Sequence, residues 1–409
     1  MRQRRPASPR RDNQKGLAMV IALFTLAAII VAISTSTYIG SSNTRATRNY
    51  REASQSQFVA ESAIAQALQT ANSGVGVRNF QTDVYQTWTA TWGAQARTFG
   101  PQGGYTYTVS AATVPDNLAN AGRFIATTDG PEGTHRVIAA SVLRDSVPGS
   151  AGAIYLANDN STDSTFNGDA FSINGNDRNM NGSAGSRPPV PGVATRNDTN
   201  TNETKNSLSN QQKDDVQGAG YVSGNPPTPS IMTVGSAPSI GQMNQLINDL
   251  LALGPTYVDT VSGTQITGNH SYGTTTPLNP RITHFNGGGL TIGAGTVDGA
   301  GIMIVEGDLK VLGTFTYDGL ILVRGTTQIG DDSVTGSLTA ITGNATLYGS
   351  IWSENLNLKV SGSAVVNYSS QALALANQAA NYTQLPAALK VTSLADCSQV
   401  QPGVGGCPS

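Results

Sequence analysis

Cys397 and Cys407, both within CSQVQPGVGGC, are the two thiols of the chain, and Pro402, Gly403, Gly405 and Gly406 between them allow tight closure. In an oxidising compartment a local disulfide is the expected product. So short a loop contributes at the lower end of the usual ~2–4 kcal/mol, enough to pin a terminus. Glycoside hydrolysis would need two carboxylates in one cleft, and elimination several around calcium beside a base. Asp298, Glu306, Asp308, Asp318, Asp331 and Asp332 are the candidates. They fall in separate turns, and the adjacent pair Asp331 and Asp332 would point apart on a strand. His135 has no His or Cys at ligand spacing, so a hydrogen-bonded or solvated imidazole is expected, and His270 and His284 stand alone. No Ser-His-Asp set or phosphate-binding loop occurs. NDNSTDSTFNGD (158–169) and NGNDRNMNG (174–182) offer hard oxygen ligands for calcium. Neither has EF-hand spacing, and Asn-rich loops also form turns by bonding their own backbone. These residues predict a chain that is not an enzyme and carries no cofactor and no metal.

The element that must position everything else is at the N-terminus. Leu17 to Ile33, LAMVIALFTLAAIIVAI, is an apolar run of seventeen residues with Thr25 as its one polar member. That is the lower limit for crossing a ~30 Å hydrocarbon layer, and Ser34 to Thr37 lengthen it. Arg2, Arg4, Arg5, Arg10, Arg11 and Lys15 precede it against Asp12, and the next basic residue is Arg45. The positive-inside rule keeps this leader cytoplasmic and exports the rest. A secretory signal cleaved near Ile33-Ser34-Thr35-Ser36 is an alternative. Ser34 to Leu68 contains no Pro and one Gly. Phe58, Ile64, Ala65 and Leu68, with Ala60, Ala63 and Ala67 between them, continue a helical stripe, and Arg45, Arg48, Arg51, Glu52 and Glu61 fill the other faces. One helix from Leu17 to about Ala71 would span on the order of 80 Å, longer than a plain anchor requires.

The junction KGLAMVIAL and the block RNYREASQSQFVAESAIAQAL resemble the PilX-like minor pilins of type IV pilus systems. The likeness covers the first ~70 residues, a long periodic segment of the kind most securely read from sequence. It implies that a prepilin peptidase cuts after Gly16 and methylates Leu17, and that Ile21, Phe58, Glu61, Ile64 and Leu68 belong to a filament-packing helix. It also implies other pilins and a pilus assembly platform as partners and an inner-membrane, single-pass location, with the pilus or cell surface as a further destination. Major pilins carry Glu at the fifth mature position, where this chain has Ile21. A carboxylate in hydrocarbon persists only with a partner and a purpose, so its absence points to a minor subunit. A simple signal anchor with a helical stalk, carrying a surface adhesin, is the competing reading.

Composition bounds the remainder. Charged residues make up 12%, glycine numbers 46 and the formal net charge is -2, which gives no basic footprint for nucleic acid beyond the leader. YTYTVSAATV, RFIATT and HRVIAASVLR, separated by turn residues, predict a small antiparallel β-headpiece against the helix. Trp88 and Trp92 are its expected packing anchors. Further on, GIMIVEGDLKV from Gly301, GLILVRGTTQI from Gly319 and GSIWSENLNLK from Gly349 align as repeats, with Glu306, Arg324 and Glu354 in one outer column. Gly-punctuated Val/Ile/Leu strands at near-regular spacing predict a parallel β-helix, with an antiparallel sandwich as the alternative. The third repeat sets Lys359 against Val311 and Ile329. The Ala-rich segment Ser369 to Leu385 is expected as a helix capping the last rung.

The fold class expected is therefore α+β, mostly β: a long transmembrane helix on an antiparallel headpiece, followed by a solenoid-like domain. The divisions are a leader (1–16), the pilin-like helix (17–71, with 17–37 in the membrane), the headpiece (72–148), an Asn/Gly/Pro-rich insertion or linker (149–241), the β-helix-like domain (242–385) and a tail (386–409). The low-charge exterior suits a host-surface or carbohydrate ligand.

Overall fold

Helix α1 (Asp12–Ala71) is unbroken over 60 residues, about 90 Å at the α-helical rise. The computed structural model describes residues 12–73, 75–92, 96–99, 104–159, 164–168, 170–330, 344–359, 363–382, 384–398 and 407. The basic residues of the leader before Asp12, together with Asp331 and Asp332, lie outside the described residues. A π-helical segment Phe80–Tyr85 and α2 (Gln86–Trp92) follow, then strands β1 (Arg97–Phe99), β2 (Tyr105–Thr113), β3 (Ala121–Asp129) and β4 (His135–Pro148) in an antiparallel meander. One face of this sheet buries Val109, Phe124, Ala126 and Ile138 against Phe80, Trp88 and Trp92 and against α1.

The buried stripe of α1 is Ser56, Val59, Ala60, Ala63, Ile64 and Ala67, spaced three and one as a 3.6-residue helix requires. Its small side chains let the helix lie close to the sheet. The stripe expected from sequence is thus corrected: Phe58, two residues from Ala60, points away and is 60% exposed, Ala65 is exposed, and Leu68 is half-buried at the margin.

The second region is built from parallel strands. β5 (Ile154–Leu156), β6 (Thr165–Asn167), β7 (Phe171–Asn174) and β8 (Val193–Thr195) precede α3 (Asp198–Asn206), and β9 (Val216–Gln217) and β10 (Ile231–Thr233) precede α4 (Ile240–Leu251). Next come β11 (Val258–Val261), β12 (Gln265–Ile266) and β13 (His270–Tyr272), then a hairpin of β14 (Thr274–Thr275) and β15 (Leu278–Asn279). β16 (Arg281–Phe285), β17 (Gly289–Ile292), β18 (Thr296–Val305), β19 (Asp308–Val311), β20 (Thr314–Val323), β21 (Thr326–Gly330), β22 (Asn344–Ser353), β23 (Asn355–Lys359) and β24 (Ser363–Tyr368) complete it. β16, β18, β20 and β22 pair in parallel, and β17, β19, β21 and β23 pair in parallel beside them.

The long strands β18, β20 and β22 bend at Gly301, Gly319 and Gly349, which stand opposite one another. Each has a positive φ, and a Cβ at Gly319 would lie 1.9 Å from the Gly301 carbonyl oxygen. Glycine is therefore obligatory at this corner. The first two aligned repeats keep their register throughout. In the third, Asn355 pairs with Thr326 and Leu358 with Ile329, which moves Lys359 opposite Gly330. The cause is a corner one residue shorter: Glu354 alone joins β22 to β23 where Glu306-Gly307 and Arg324-Gly325 stand in the first two repeats, and the buried Ser353 hydroxyl bonds the Gly325 and Asn355 carbonyls and accepts from Thr327 N.

Residues 149–241, expected as an insertion or linker, extend these same sheets. β5 pairs with the end of β22 and leads on to β8 and β10; β6 pairs with β23; β7 pairs with β24 and leads on to β9. The segment thus covers the end of the stack that the Ala-rich helix was expected to cap. α5 (Ser370–Ala379) instead lies across β16, β18, β20 and β22 and against β4. This explains why Ile302, Met303, Ile304 and Val305 in succession are all buried: both faces of that half of the strand are covered. The alternation rule then no longer exposes every second residue. Helix α4 has a Ser239–Gln242 capping box and buries Met243, Leu246, Ile247 and Leu250.

The expected tail is also a structural strand. β25 (Ala387–Asp396) returns to the headpiece and pairs antiparallel with β4, making a five-stranded sheet. The parallel region is consequently inserted between two neighbouring strands of the headpiece.

Candidate functional site

From Met19 to Ile39 the large apolar side chains of α1 are exposed, Met19, Phe24 and Tyr38 by 70% or more. The helix is long and apolar enough to cross a membrane. Its hydroxyls do not interrupt it, because Thr25, Ser34, Thr35 and Thr37 donate back to carbonyls one turn earlier, Ser34 Oγ to Ile30 O at 2.8 Å. Gly16 and Leu17 lie on the helix. Ile21 is exposed, as are Phe58 and Glu61, whose carboxylate accepts from Gln57 Nε2 at 2.9 Å. Ile64, expected to pack in a filament, is 3% exposed and belongs to the internal core. The helix is held on the sheet by Tyr105 Oη donating to Gln55 (2.9 Å) and Tyr107 Oη donating to Gln66 (2.7 Å). Phe58 meets Phe99 edge-on at 5.9 Å between ring centres.

The two regions are tied by charges that no sequence motif announces, since the partners come from distant segments. Arg187 donates to both oxygens of Asp145 (2.6 and 3.1 Å), and Lys390 Nζ reaches the same carboxylate at 2.6 Å. The Asp145 side chain is only 8% exposed. Burial raises its pKa, but the hydrogen bonds from Arg187 and Lys390 outweigh burial and hold it at about 2. Arg144 next to it is buried and donates to Asn120 Oδ1 and to the Leu385 carbonyl. Arg78 donates to Asp249 of α4 at 2.5 Å. Asp177 accepts from Arg187 N and from Ser370 N and Oγ, fixing the start of α5 to the loop after β7. The Asn-rich segment 174–182 uses its side chains in the same structural way, Asn174 Oδ1 accepting from Asn176 N.

Asp298, Asp308 and Asp318, expected in separate turns, stand on strands β18, β19 and β20, and of the candidate catalytic groups only Asp298 and Asp318 come together among the described residues. Glu306 takes His284 Nε2 at 3.1 Å and Arg324 at 3.1 Å, so His284, expected to stand alone, has a carboxylate partner. Arg324 also donates to Asn248 of α4. The outer column is therefore half-buried, with Glu306 and Arg324 side chains 24% and 26% exposed. Asp308 accepts from Thr326 N, and His135 pairs with Asp129 at 2.7 Å. His270 meets Thr267 O and stacks on Tyr272. Asp298 and Asp318 share one cavity of about 250 Å³ with Thr274 to Thr276 and Thr316. Among the described residues no group of three or more His, Cys, Asp or Glu is placed to hold a metal. Cys397 and Cys407 form a disulfide with their Cα atoms 5.4 Å apart. Cys397 N donates to Val137 O, so the bridge sits beside the end of β25. Trp88 and Trp92 stack at 5.2 Å, Trp88 Nε1 donates to Val109 O, and Arg97 lies over Trp92.

No protein-family profile matches the chain. No curated protein is similar to it at a significant level. Among solved structures, the competence-associated pilin ComZ from Thermus thermophilus aligns over 74% of this chain and 86% of its own length, with 11% identity and a TM-score of 0.26.

Proposed function

We propose that the chain is a minor-pilin-like subunit of a type IV pilus system, of the PilX-like kind, anchored in the inner membrane by α1 with its β-rich part exported. The observation that carries this reading is the division of labour along one helix. Residues 19–39 present apolar side chains outward, whereas Ser56 to Ala67 bury a small-residue stripe in a β-sheet. A signal anchor needs only the first half of that helix. Processing after Gly16, methylation of Leu17, and packing with other pilins through Ile21, Phe58 and Glu61 belong to the same proposal. The reading gives the subunit no catalytic step. It takes the parallel region as a short β-solenoid with three strand rows, a rigid head carried on the pilin headpiece.

The lack of a carboxylate at Ile21 assigns the subunit a low copy number, because it cannot pair with a neighbour's buried amine. Expressed without other pilins, it should form no surface filament; with them, sheared fibres should contain it in trace amount. Gly16→Glu should remain unprocessed and absent from the fibre fraction. Homopolymeric filaments would overturn the minor-subunit assignment.

A further inference from the structure

The N-terminal halves of β18, β20 and β22, continued by β24 and β7, form one row of the parallel region whose inner residues Phe315, Tyr317, Leu347 and Val366 are buried. The outer residues stand in straight columns across the strands. Asp298, Thr316, Thr346 and Val365 are opposite one another, and Ala300, Asp318, Tyr348 and Asn367 form the adjacent column. The hairpin β14–β15 bounds this face at one end, where the cavity containing Asp298 and Asp318 lies. Over β22, Gly182 approaches the Tyr348 hydroxyl, a Cβ there falling 3.5 Å from it.

We propose that this face is a glycan-binding trough, occupied by an extended, hydroxyl-rich saccharide chain lying across the strands with an amino-substituted sugar in the Asp298–Asp318 cavity. Parallel strands are ~4.8 Å apart, so β18 to β24 cover ~14 Å, along which Thr316, Thr346, Tyr348 and Asn367 offer hydroxyl or amide contacts to an extended chain. The half-buried ring of Tyr348 gives an apolar platform edge midway along the columns. Charge selects the occupant. The outer columns contain no lysine or arginine, which disfavours an anionic polymer, while two carboxylates converge on the cavity and favour a cation. Asp298 accepts from Ser271 Oγ at 2.6 Å, but among the described residues the Asp318 carboxylate has no hydrogen-bond partner. Burial raises the Asp318 carboxyl to about 6, the mark of a carboxylate whose charge is unmatched in the free protein. A sugar ammonium would supply the missing partner. This inference stands apart from the pilin-like reading, since it rests on the parallel region alone.

The test is calorimetric titration of the detergent-solubilised full chain with glucosamine tetramer, cellotetraose, galacturonate tetramer and tetralysine. Saturable binding of the glucosamine tetramer is expected, at least tenfold weaker for cellotetraose and none for galacturonate or tetralysine. Asp318→Asn and Tyr348→Ala should each weaken the glucosamine tetramer by tenfold or more. Asp318→Asn should melt no lower than the parent, because it removes an unmatched charge, so a binding loss there cannot be ascribed to unfolding. Absence of saturable binding by the glucosamine tetramer overturns the proposal. So does equal binding of tetralysine, or affinity unchanged in both variants.

Discussion

Replacing Asp145 by Asn removes one charge from the point where β4, the loop carrying Arg187 and the returning strand β25 meet. The carboxylate sits at about 2 in the folded chain against an ordinary 3.8. A depression of that size corresponds to about 2 kcal/mol of stability. Because the folded pKa is the lower one, the contribution is complete above the unfolded value and disappears as pH falls from about 4 towards 2. The side chain is 8% exposed, so solvent screening reduces this little, whereas Lys390 at 53% exposure can rehydrate when its partner is lost. Denaturant melts of the detergent-solubilised chain, followed by tryptophan fluorescence, report on both regions, since Trp88 and Trp92 lie in the headpiece core and Trp352 packs on Tyr155 in the parallel region. At pH 7 Asp145→Asn should be about 2 kcal/mol less stable, and near pH 2 the two proteins should coincide. A difference that is the same at both pH values, or absent at pH 7, refutes the electrostatic account of this junction.

Gly319→Ala should destabilise by well over ~1 kcal/mol, since the residue has positive φ and its Cβ would meet the Gly301 carbonyl; soluble yield and melting temperature read this directly. Leu322→Ala, in a fully buried strand, should cost about 2–5 kcal/mol in denaturant melts, and Arg324→Ala about 1–2, because its half-buried guanidinium ties Glu306 to Asn248 of α4. Tyr317→Phe should be neutral to stabilising by the same measurement, since its buried hydroxyl has no partner among the described residues.

The long helix and the register of the first two repeats were legible in the sequence because each rests on a local, repeated constraint. An apolar run followed by a Pro-free stretch can be little but helix, and the glycines at 301, 319 and 349 mark a backbone corner that only glycine can turn. What failed did so where the cause lies elsewhere in the chain. Phe58 looks like a core residue by type, but the sheet is covered by the alanine stripe, and only the sheet's position shows which side of the helix is inner. In the Asn-rich span 149–241 the short strands β5, β6 and β7 have pairing partners some two hundred residues on, so composition reads as loop. β25 reads as a tail because its partner β4 precedes the whole parallel region. The charge cluster at Asp145 is invisible for the same reason: Arg187 and Lys390 stand at no characteristic spacing from it. The shortened third corner could have been found, since Ser353-Glu354 lacks the glycine that follows Glu306 and Arg324.

The proposed function requires α1 to be a processed pilin-type helix and not a plain anchor or a removable signal. Mass spectrometry of the N-terminal peptide from the membrane fraction tests it most directly. A mature terminus at Leu17 bearing an N-methyl group is expected. A chain beginning at Ser34 or later, or one that retains the leader through Gly16, would contradict it.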